Sequence, residues 1–221
     1  MAAFKKKEQR KGPKPYEIII GALLSLILGA LLGVVYLIVQ PVEEVDSTPP
    51  EAAREARTVY YQEGAIGTPG QYNWRPKLGA LVNGTSGTLE IVEEELNQWV
   101  ATEFDWEETS HEGFFVIAPR SLNFRIYDNT LQIASELNAK VLGIEKSVIA
   151  QAHGAFVQRN GTFVYSPERL YIGGMQVPHQ GIEALLNRFM EILDIPEELK
   201  EGWGRLSDVT IEDSILILEI P

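Results

Sequence analysis

The chain has 221 residues, a formal net charge of −12 and no cysteine. This length is enough for one membrane anchor and a single folded domain with its own core. Without cysteine there are no disulfides and no thiolate metal sites, and cysteine content cannot indicate the compartment.

The charge is distributed very unevenly along the chain. Residues 1–15 carry six basic side chains and one acidic side chain, a net charge of +5, and subtracting this from −12 leaves −17 on residues 16–221. Such an acidic domain would repel both the phosphates of nucleic acid and anionic lipid headgroups. We therefore expect a basic arm at 1–15 and no nucleic-acid binding by the rest.

An uncharged apolar run follows the arm. Residues 18–39 make 22 residues without a charge, and a helix of that length spans about 30 Å, the thickness of a bilayer's hydrocarbon core. A cleaved signal peptide is the alternative, but the run is longer than a typical h-region and no small-x-small cleavage site follows it closely. We expect an uncleaved transmembrane helix at 16–40, in contact with the lipid bilayer through residues 18–39.

The flanking charges predict the orientation of this helix. The basic arm precedes it, and Glu43, Glu44 and Asp46 follow it. Because basic residues favour the cytoplasmic side, we expect a protein of the cytoplasmic (inner) membrane with its N-terminus in the cytoplasm and its C-terminal domain extracytoplasmic.

Small residues recur at every fourth position of the run and so share one helix face: Gly21, Ser25, Gly29 and Gly33. Such a stripe lets another helix backbone approach closely, which suggests a membrane-helix partner or a second copy of the chain. Small residues are also common in membrane spans for no such reason, and the pattern alone leaves both interpretations open.

The residues after the span predict a spacer at 41–57, helix-prone near its end, and one α+β domain at 58–221. Residues 59–87 contain several glycines, prolines and aromatic residues and are interpreted as an irregular segment held to the domain by its aromatic side chains. An amphipathic helix is expected at 92–102, with Trp99 docked on the core. We interpret its first-turn glutamates, Glu93, Glu94 and Glu95, as a solvated helix start.

Alternating apolar residues then predict an antiparallel meander of long hairpins. Its first hairpin turns at Asp128-Asn129 and a later one at Asn160-Gly161. The strand segments are 122–127, 131–141, 148–157, 162–165 and 170–172, with a closing hairpin at 209–211 and 215–220. The predicted fold is a curved antiparallel sheet with amphipathic helices packed on one face.

The period changes to that of a helix over 178–193, and a second short helix is expected after Pro196. The residues on the apolar face of the first helix are Ile182, Leu185, Leu186, Phe189, Ile192 and Leu193. Of these, Ile182, Leu185, Leu186, Phe189 and Leu193 are the candidates for either a filled core or an apolar groove that takes a lipid-like ligand. The pattern does not separate the two.

No motif for catalysis, a cofactor or a metal stands out. His111, His153 and His179 lack the spacing of metal ligands, and His153 alternates within a predicted strand, which favours a hydrogen-bonded structural role. Serine nucleophile motifs are absent as well. We therefore expect a protein that is not an enzyme.

Two stretches resemble a known family. Residues 96–99 read LNQW, and residues 169–178 read RLYIGGMQVP, a strand followed by glycine, an apolar residue and proline before a helix. Over residues 87–221 this order is similar to that of the YpmS-like proteins, small single-span bacterial envelope proteins of unknown function. The resemblance implies a β-rich fold related to tubular lipid-binding domains, and it implies no functional residue. The chain departs from the pattern at 59–87 and in its acidity.

These observations predict a membrane-anchored, non-enzymatic envelope protein that binds a lipid-like apolar ligand or a protein partner at the membrane face. The alternative is a structural or assembly subunit of a membrane complex that docks through its transmembrane helix.

Overall fold

The computed structural model describes residues 14–47, 49–50, 54–55, 58–68, 71–104, 115–141, 144–192 and 195–221. The chain forms two compact units, one that ends at Leu37 and one from Ile38 to Pro221. The combination of one long apolar N-terminal helix with later helices and antiparallel sheets confirms the coarse α+β prediction.

The first unit contains all of helix α1 (Pro15–Ile38) except its last residue, Ile38, with which the second unit begins. Its 24 residues cover about 36 Å, and none of its side chains is buried within the chain. The helix is long and apolar enough to cross a membrane. This agrees with a membrane anchor or a signal sequence.

The second unit begins with small elements. Strands β1 (Glu43–Glu44) and β2 (Tyr60–Tyr61) pair in parallel. Helix α2 (Trp74–Asn83), strand β3 (Gly87–Val92) and helix α3 (Glu93–Glu103) follow.

The interpretation of 59–87 as irregular throughout is therefore wrong. Pro76 falls in the first turn of α2, where its missing N–H would have had no helical partner. Gly84 ends the helix with φ at 65°, a conformation that favours glycine.

The large sheet has six strands: β4 (Phe115–Pro119), β5 (Asn123–Tyr127), β6 (Thr130–Val141), β7 (Ile144–Arg159), β8 (Thr162–Ile172) and β9 (Met175–Gln176). Its order is β4-β6-β7-β8-β9, with β5 also paired to β6, and every pairing is antiparallel. Asp128 and Asn129 connect β5 to β6 with φ of 44° and 59°, as a tight two-residue turn requires.

The chain ends with helices α4 (His179–Ile192) and α5 (Glu197–Gly204) and strands β10 (Asp208–Glu212) and β11 (Ile215–Ile220). Strand β11 pairs with β10 and with β3, which makes a second, three-stranded antiparallel sheet. The sequence predicted one sheet, and the structure divides the strands between two because β3, distant in sequence, pairs with the closing hairpin.

Strand alternation gives the large sheet an apolar face and a polar face. Directly opposed residues of antiparallel strands share a face. On the apolar face, Phe124, Ile126 and Leu131 join the main core with the three-stranded sheet, α3 and α5. Ala152 and Leu170 pack against Ile182 of α4 on the same face. The main core and α4 therefore cover one side, and the other side carries polar side chains.

Candidate functional site

The predicted helix-packing stripe lies on α1. A Cβ added at Gly21, Gly29 or Gly33 would have no atom of the chain within 4 Å. Ser25 is exposed on the same helix. The three glycines therefore leave open space along this face of α1.

The candidate apolar residues of α4 are buried to different degrees. Ile182 has 4% of its surface exposed and packs with Ala152, Leu170 and Val177, so it lies in a filled core. Phe189 packs on a small apolar cluster, and Leu185 is 41% exposed. Leu186 is half-buried, and Leu193 lies outside the described residues. The apolar face is thus filled at Ile182, half-buried at Leu186 and Phe189, and exposed at Leu185.

The second unit begins at Ile38, which contacts the same apolar cluster as Phe189 of α4. Ile38 and Phe189 both pack on the small cluster of Leu137 and Val148. A Cβ at Gly173 would collide with the carbonyl oxygen of Ile38, so only glycine allows this close approach. The Lys146 ammonium donates to the carbonyl oxygen of Val39. These contacts bind the entering backbone to the domain.

The polar face of the large sheet holds an extended segment, the strap (residues 60–68). Three side-chain amides, one from each of three neighbouring strands, donate to alternate strap carbonyls. The bonds are Gln151 Nε2 to Tyr60 O (3.0 Å), Gln132 Nε2 to Gln62 O (2.9 Å) and Asn123 Nδ2 to Gly64 O (3.3 Å). Gln132 and Gln151 are only 2% and 1% exposed. Because a buried amide without a partner costs about 1–3 kcal/mol, this amide ladder fixes the strap across the sheet.

Helix α3 binds the other end of the strap. Asn97 donates from Nδ2 to Ala65 O at 2.9 Å and accepts the Phe124 N–H at 2.7 Å. The Glu93 carboxylate accepts the N–H groups of Ala65 and Ile126. Asn97 belongs to the LNQW stretch noted in the sequence, and its role here is to join the strap to β5.

The interpretation of the first-turn glutamates of α3 as solvated is wrong for two of them. Glu93 holds the strap. Glu95 is 4% exposed, pairs with Lys77 of α2 at 2.6 Å and accepts the Val92 N–H at 3.2 Å. Local sequence placed these acids correctly at a helix start, where they are favoured, but it could not reveal that the strap and α2 cover that turn.

His153 is a hydrogen-bonded residue of β7, which confirms the structural role expected for it. Its Nδ1 lies 2.7 Å from the Tyr127 hydroxyl and its Nε2 lies 3.2 Å from Gln151 Oε1. Because Gln151 Oε1 can only accept, Nε2 carries the hydrogen and Nδ1 accepts from Tyr127. Burial, with the charges of Arg169 and Arg125, lowers the pKa of His153 to about 4. The ring is therefore neutral at pH 7.

The arginine patch (Arg125, Tyr127, His153 and Arg169) occupies the polar face beside the strap. The Arg125 guanidinium lies 4.3 Å from the Tyr127 ring centroid. The Tyr171 ring packs edge-on to His153 at 6.0 Å. Burial raises the pKa of the Tyr127 hydroxyl despite the nearby arginines. The patch combines positive charge with neutral, hydrogen-bonded rings.

The sequence predicted that residues 59–87 are held against the domain by aromatic side chains, but it did not reveal the amides that hold the strap, and it missed the arginine patch. The alternation that predicted β5 already placed Asn123, Arg125 and Tyr127 on one face, and that was the available signal. The partners of this face on β7 and β8, and the strap itself, are distant in sequence, so local periodicity could not bring them together.

Comparison with known proteins gives no relative for this arrangement. No protein-family model matches the chain, and neither a curated protein nor a solved structure matches it.

Proposed function

We propose that the chain is a single-pass protein of the cytoplasmic membrane whose second unit acts, without catalysis, as a binding protein on the extracytoplasmic side. The length and hydropathy of α1 support the membrane anchor. The net charge of +5 on residues 1–15 and the acidic residues after the helix support the orientation.

The observation that carries this proposal is the attachment of Ile38 to the domain. If residues 18–39 cross the bilayer, the part of the domain that holds Ile38 must lie at the membrane face by connectivity. Phe189 packs on the same small cluster as Ile38. Leu185 and Met190 of the same helix are 41% and 44% exposed. Helix α4 thus carries exposed apolar side chains and contributes Phe189 to the cluster that also holds Ile38.

The ligand that suits these side chains is a lipid-like apolar molecule or an apolar surface of a partner protein. The proposal includes the curvature of the large sheet expected from the sequence, because a curved sheet and the end of α4 together could enclose an acyl chain. It also includes a relationship to the YpmS-like envelope proteins, whose pattern of strand, glycine and proline before a helix the chain shares at 169–178.

Native mass spectrometry of the full chain, extracted in mild detergent, tests the proposal. We expect bound lipid or a partner subunit to remain on the parent protein. Leu185→Asn, which places an amide among the exposed apolar side chains, should reduce that retention. Asn187→Ala, on the polar side of the same helix, is the control and should change nothing. A parent protein that carries neither lipid nor partner would contradict the proposal.

The alternative is a structural or assembly subunit that docks through α1. Its support is the open stripe, since a side chain added at Gly29 meets nothing within the chain. Gly29→Leu should therefore weaken crosslinking to a membrane-helix partner or second copy, because the larger side chain separates the helix backbones. Ala30→Leu, on a neighbouring face, is the matched control. Equal crosslinking of parent and both variants would remove this alternative.

A further inference from the structure

The strap crosses the polar face of the large sheet without becoming one of its strands. Its first two residues form β2, which pairs with β1. Within the described residues, the strap shares no backbone ladder with the large sheet. The amide ladder holds it instead, with donors from β7, β6 and β5 in turn. The strap can therefore leave this face without breaking the backbone pairing of the large sheet.

The strap also contributes little to the hydrophobic core. Among the residues that the structure describes, none of 60–68 belongs to an apolar cluster. Tyr60 and Tyr61 are half-buried, and Ile66 has 66% of its surface exposed. Segments with few buried apolar contacts open at a lower free energy than the core. We therefore expect the strap to detach while the rest of the domain stays folded.

Two of the groups that bind the strap are oriented by contacts that do not involve it. His153 donates from Nε2 to Gln151 Oε1 at 3.2 Å, which orients the Gln151 amide. Asn97 is held by the N–H of Phe124 at 2.7 Å and by its carbonyl oxygen at 2.8 Å. Groups that are already oriented lose little freedom on binding. These two amides would therefore remain in place for another main chain after the strap has left.

The hydrogen bonds at the far end of the strap also go to main-chain atoms. Asn97 donates to the carbonyl oxygen of Ala65, and the Glu93 carboxylate accepts the N–H of the same residue. Gln98 donates from Nε2 to the carbonyl oxygen of Thr68 at 3.1 Å. Main-chain groups are common to all peptides, so these bonds do not depend on the sequence of the segment that they hold.

Gly64 adds the one strict requirement on sequence along the amide ladder. Its N–H donates to Asn123 Oδ1 at 2.8 Å, and a Cβ at this position would collide with the carbonyl oxygen of Phe124. The neighbouring Glu63 and the two residues after Gly64 are exposed. A segment that fits this face must therefore be extended and carry glycine at this point, whereas other side chains are tolerated on either side of it.

We propose that this polar face is a peptide-binding site, which the strap occupies in the structure and which an extended, glycine-containing segment of a partner protein occupies once the strap detaches. The strap of a second copy fits less well, because it is tied at one end to β1 and at the other to α2, whose Leu81 lies in the main core. The site is on the opposite face of the sheet from α4. It therefore does not depend on the proposed apolar binding.

Hydrogen exchange of the full chain in mild detergent tests the detachment and needs no variant. The N–H groups of Gly64 and Ala65 are both bonded to side chains. We expect them to exchange at least about tenfold faster than the bonded N–H groups of β6 and β7, because the strap opens without global unfolding. Exchange as slow as that of β6 and β7 would mean that the strap opens only when the whole domain unfolds, and it would overturn the proposal.

Fluorescence anisotropy with a labelled peptide of residues 58–68 tests the site itself. The full-length proteins are the parent, Gly64→Ala, whose strap is displaced by the collision with Phe124, and Gly79→Ala, whose added Cβ meets no atom within 4 Å. A second peptide carries the change Gly64→Ala, so that it differs from the first by a single methyl group.

Gly64→Ala should bind the first peptide at least about tenfold more tightly than the parent and Gly79→Ala do, because in those two proteins the tethered strap competes at a high effective concentration. The second peptide should bind Gly64→Ala at least about tenfold more weakly than the first. Equal binding of the two peptides, or no binding of either, would overturn the proposal. A dimer of the parent that the first peptide dissociates would assign the site to a second copy and overturn its assignment to a partner protein.

Discussion

The single residue His153 makes the stability of the domain depend on pH. Its pKa falls from the usual 6.5 to about 4 because burial and two arginines disfavour the protonated ring. Between these values the unfolded chain binds a proton that the folded chain does not. The contribution of His153 to stability is therefore complete above pH 6.5 and is lost as the pH falls toward 4.

This gives a prediction for His153→Gln. The free energy of unfolding of the parent should fall by an extra amount on the order of 2–3 kcal/mol between about pH 7 and pH 4, relative to the variant, because glutamine does not titrate. Denaturant unfolding of the full chain in detergent, followed by tryptophan fluorescence at several pH values, measures the difference. The carboxylates contribute equally to the pH dependence of unfolding in the parent and the variant. If the free energy of unfolding changed with pH to the same extent in both proteins, the fold would not be holding His153 neutral.

The strap makes its closest backbone contact at Gly64. A Cβ there would collide with the carbonyl oxygen of Phe124, on a backbone already held by both bonds to Asn123. Gly64→Ala must therefore displace the strap, and we expect a loss of about 1–3 kcal/mol in stability.

Gly79→Ala provides the matched control for this change. Gly79 lies inside α2, and a Cβ at this position would meet no atom within 4 Å. Alanine should therefore stabilise the domain by about 0.5–1 kcal/mol through its helix propensity. Thermal unfolding of the two variants beside the parent measures both effects. Equal melting temperatures for Gly64→Ala and the parent would mean that the strap does not rest on β5 as described.

Helix α4 should respond unevenly to truncation along its length. Ile182 is 4% exposed and Leu185 is 41% exposed. Ile182→Ala removes a filled-core side chain and should cost about 2–5 kcal/mol, while Leu185→Ala should cost well under about half of that. The same unfolding measurement compares them. Similar losses for both variants would place Leu185 in the core and leave no accessible apolar face at that position.

Local sequence could predict those helices and strands whose buried residues recur at the spacing of a single helix or strand face. The apolar positions of α4 and the alternation of β5 and β6 belong to this class, since each pattern reports one buried face. The strap could not be predicted in this way, because its carbonyl groups accept hydrogen bonds from side-chain amides such as those of Gln132 and Gln151. In the alternating pattern of the strands these residues are simply polar, and nothing in the pattern indicates their partners. Helix α2 was not predicted because it contains Pro76. Proline disrupts a helix unless it lies in the first turn, as Pro76 does here.

At the scale of the whole molecule, the two units have opposite chemical character. The first contains a helix with no buried side chain, which suits a lipid environment. The second unit contains a filled core that lies between the two larger sheets and their helices. The strap crosses the polar face of its large sheet. The proposed membrane anchor explains this difference between the two units, and it also explains the change in net charge from +5 on residues 1–15 to −17 on residues 16–221. The apolar run and the charge distribution already suggested such an anchor from the sequence alone.

Protease protection in spheroplasts tests the proposed orientation of the chain in the membrane. The full chain carries a tag at its N-terminus, and protease is added outside intact spheroplasts. We expect residues 41–221 to be digested while a fragment with the tag and α1 survives, and we expect permeabilised cells to lose the tag as well. If the domain stays protected in intact spheroplasts, or is released as a soluble protein without α1, the proposed orientation and anchoring are wrong.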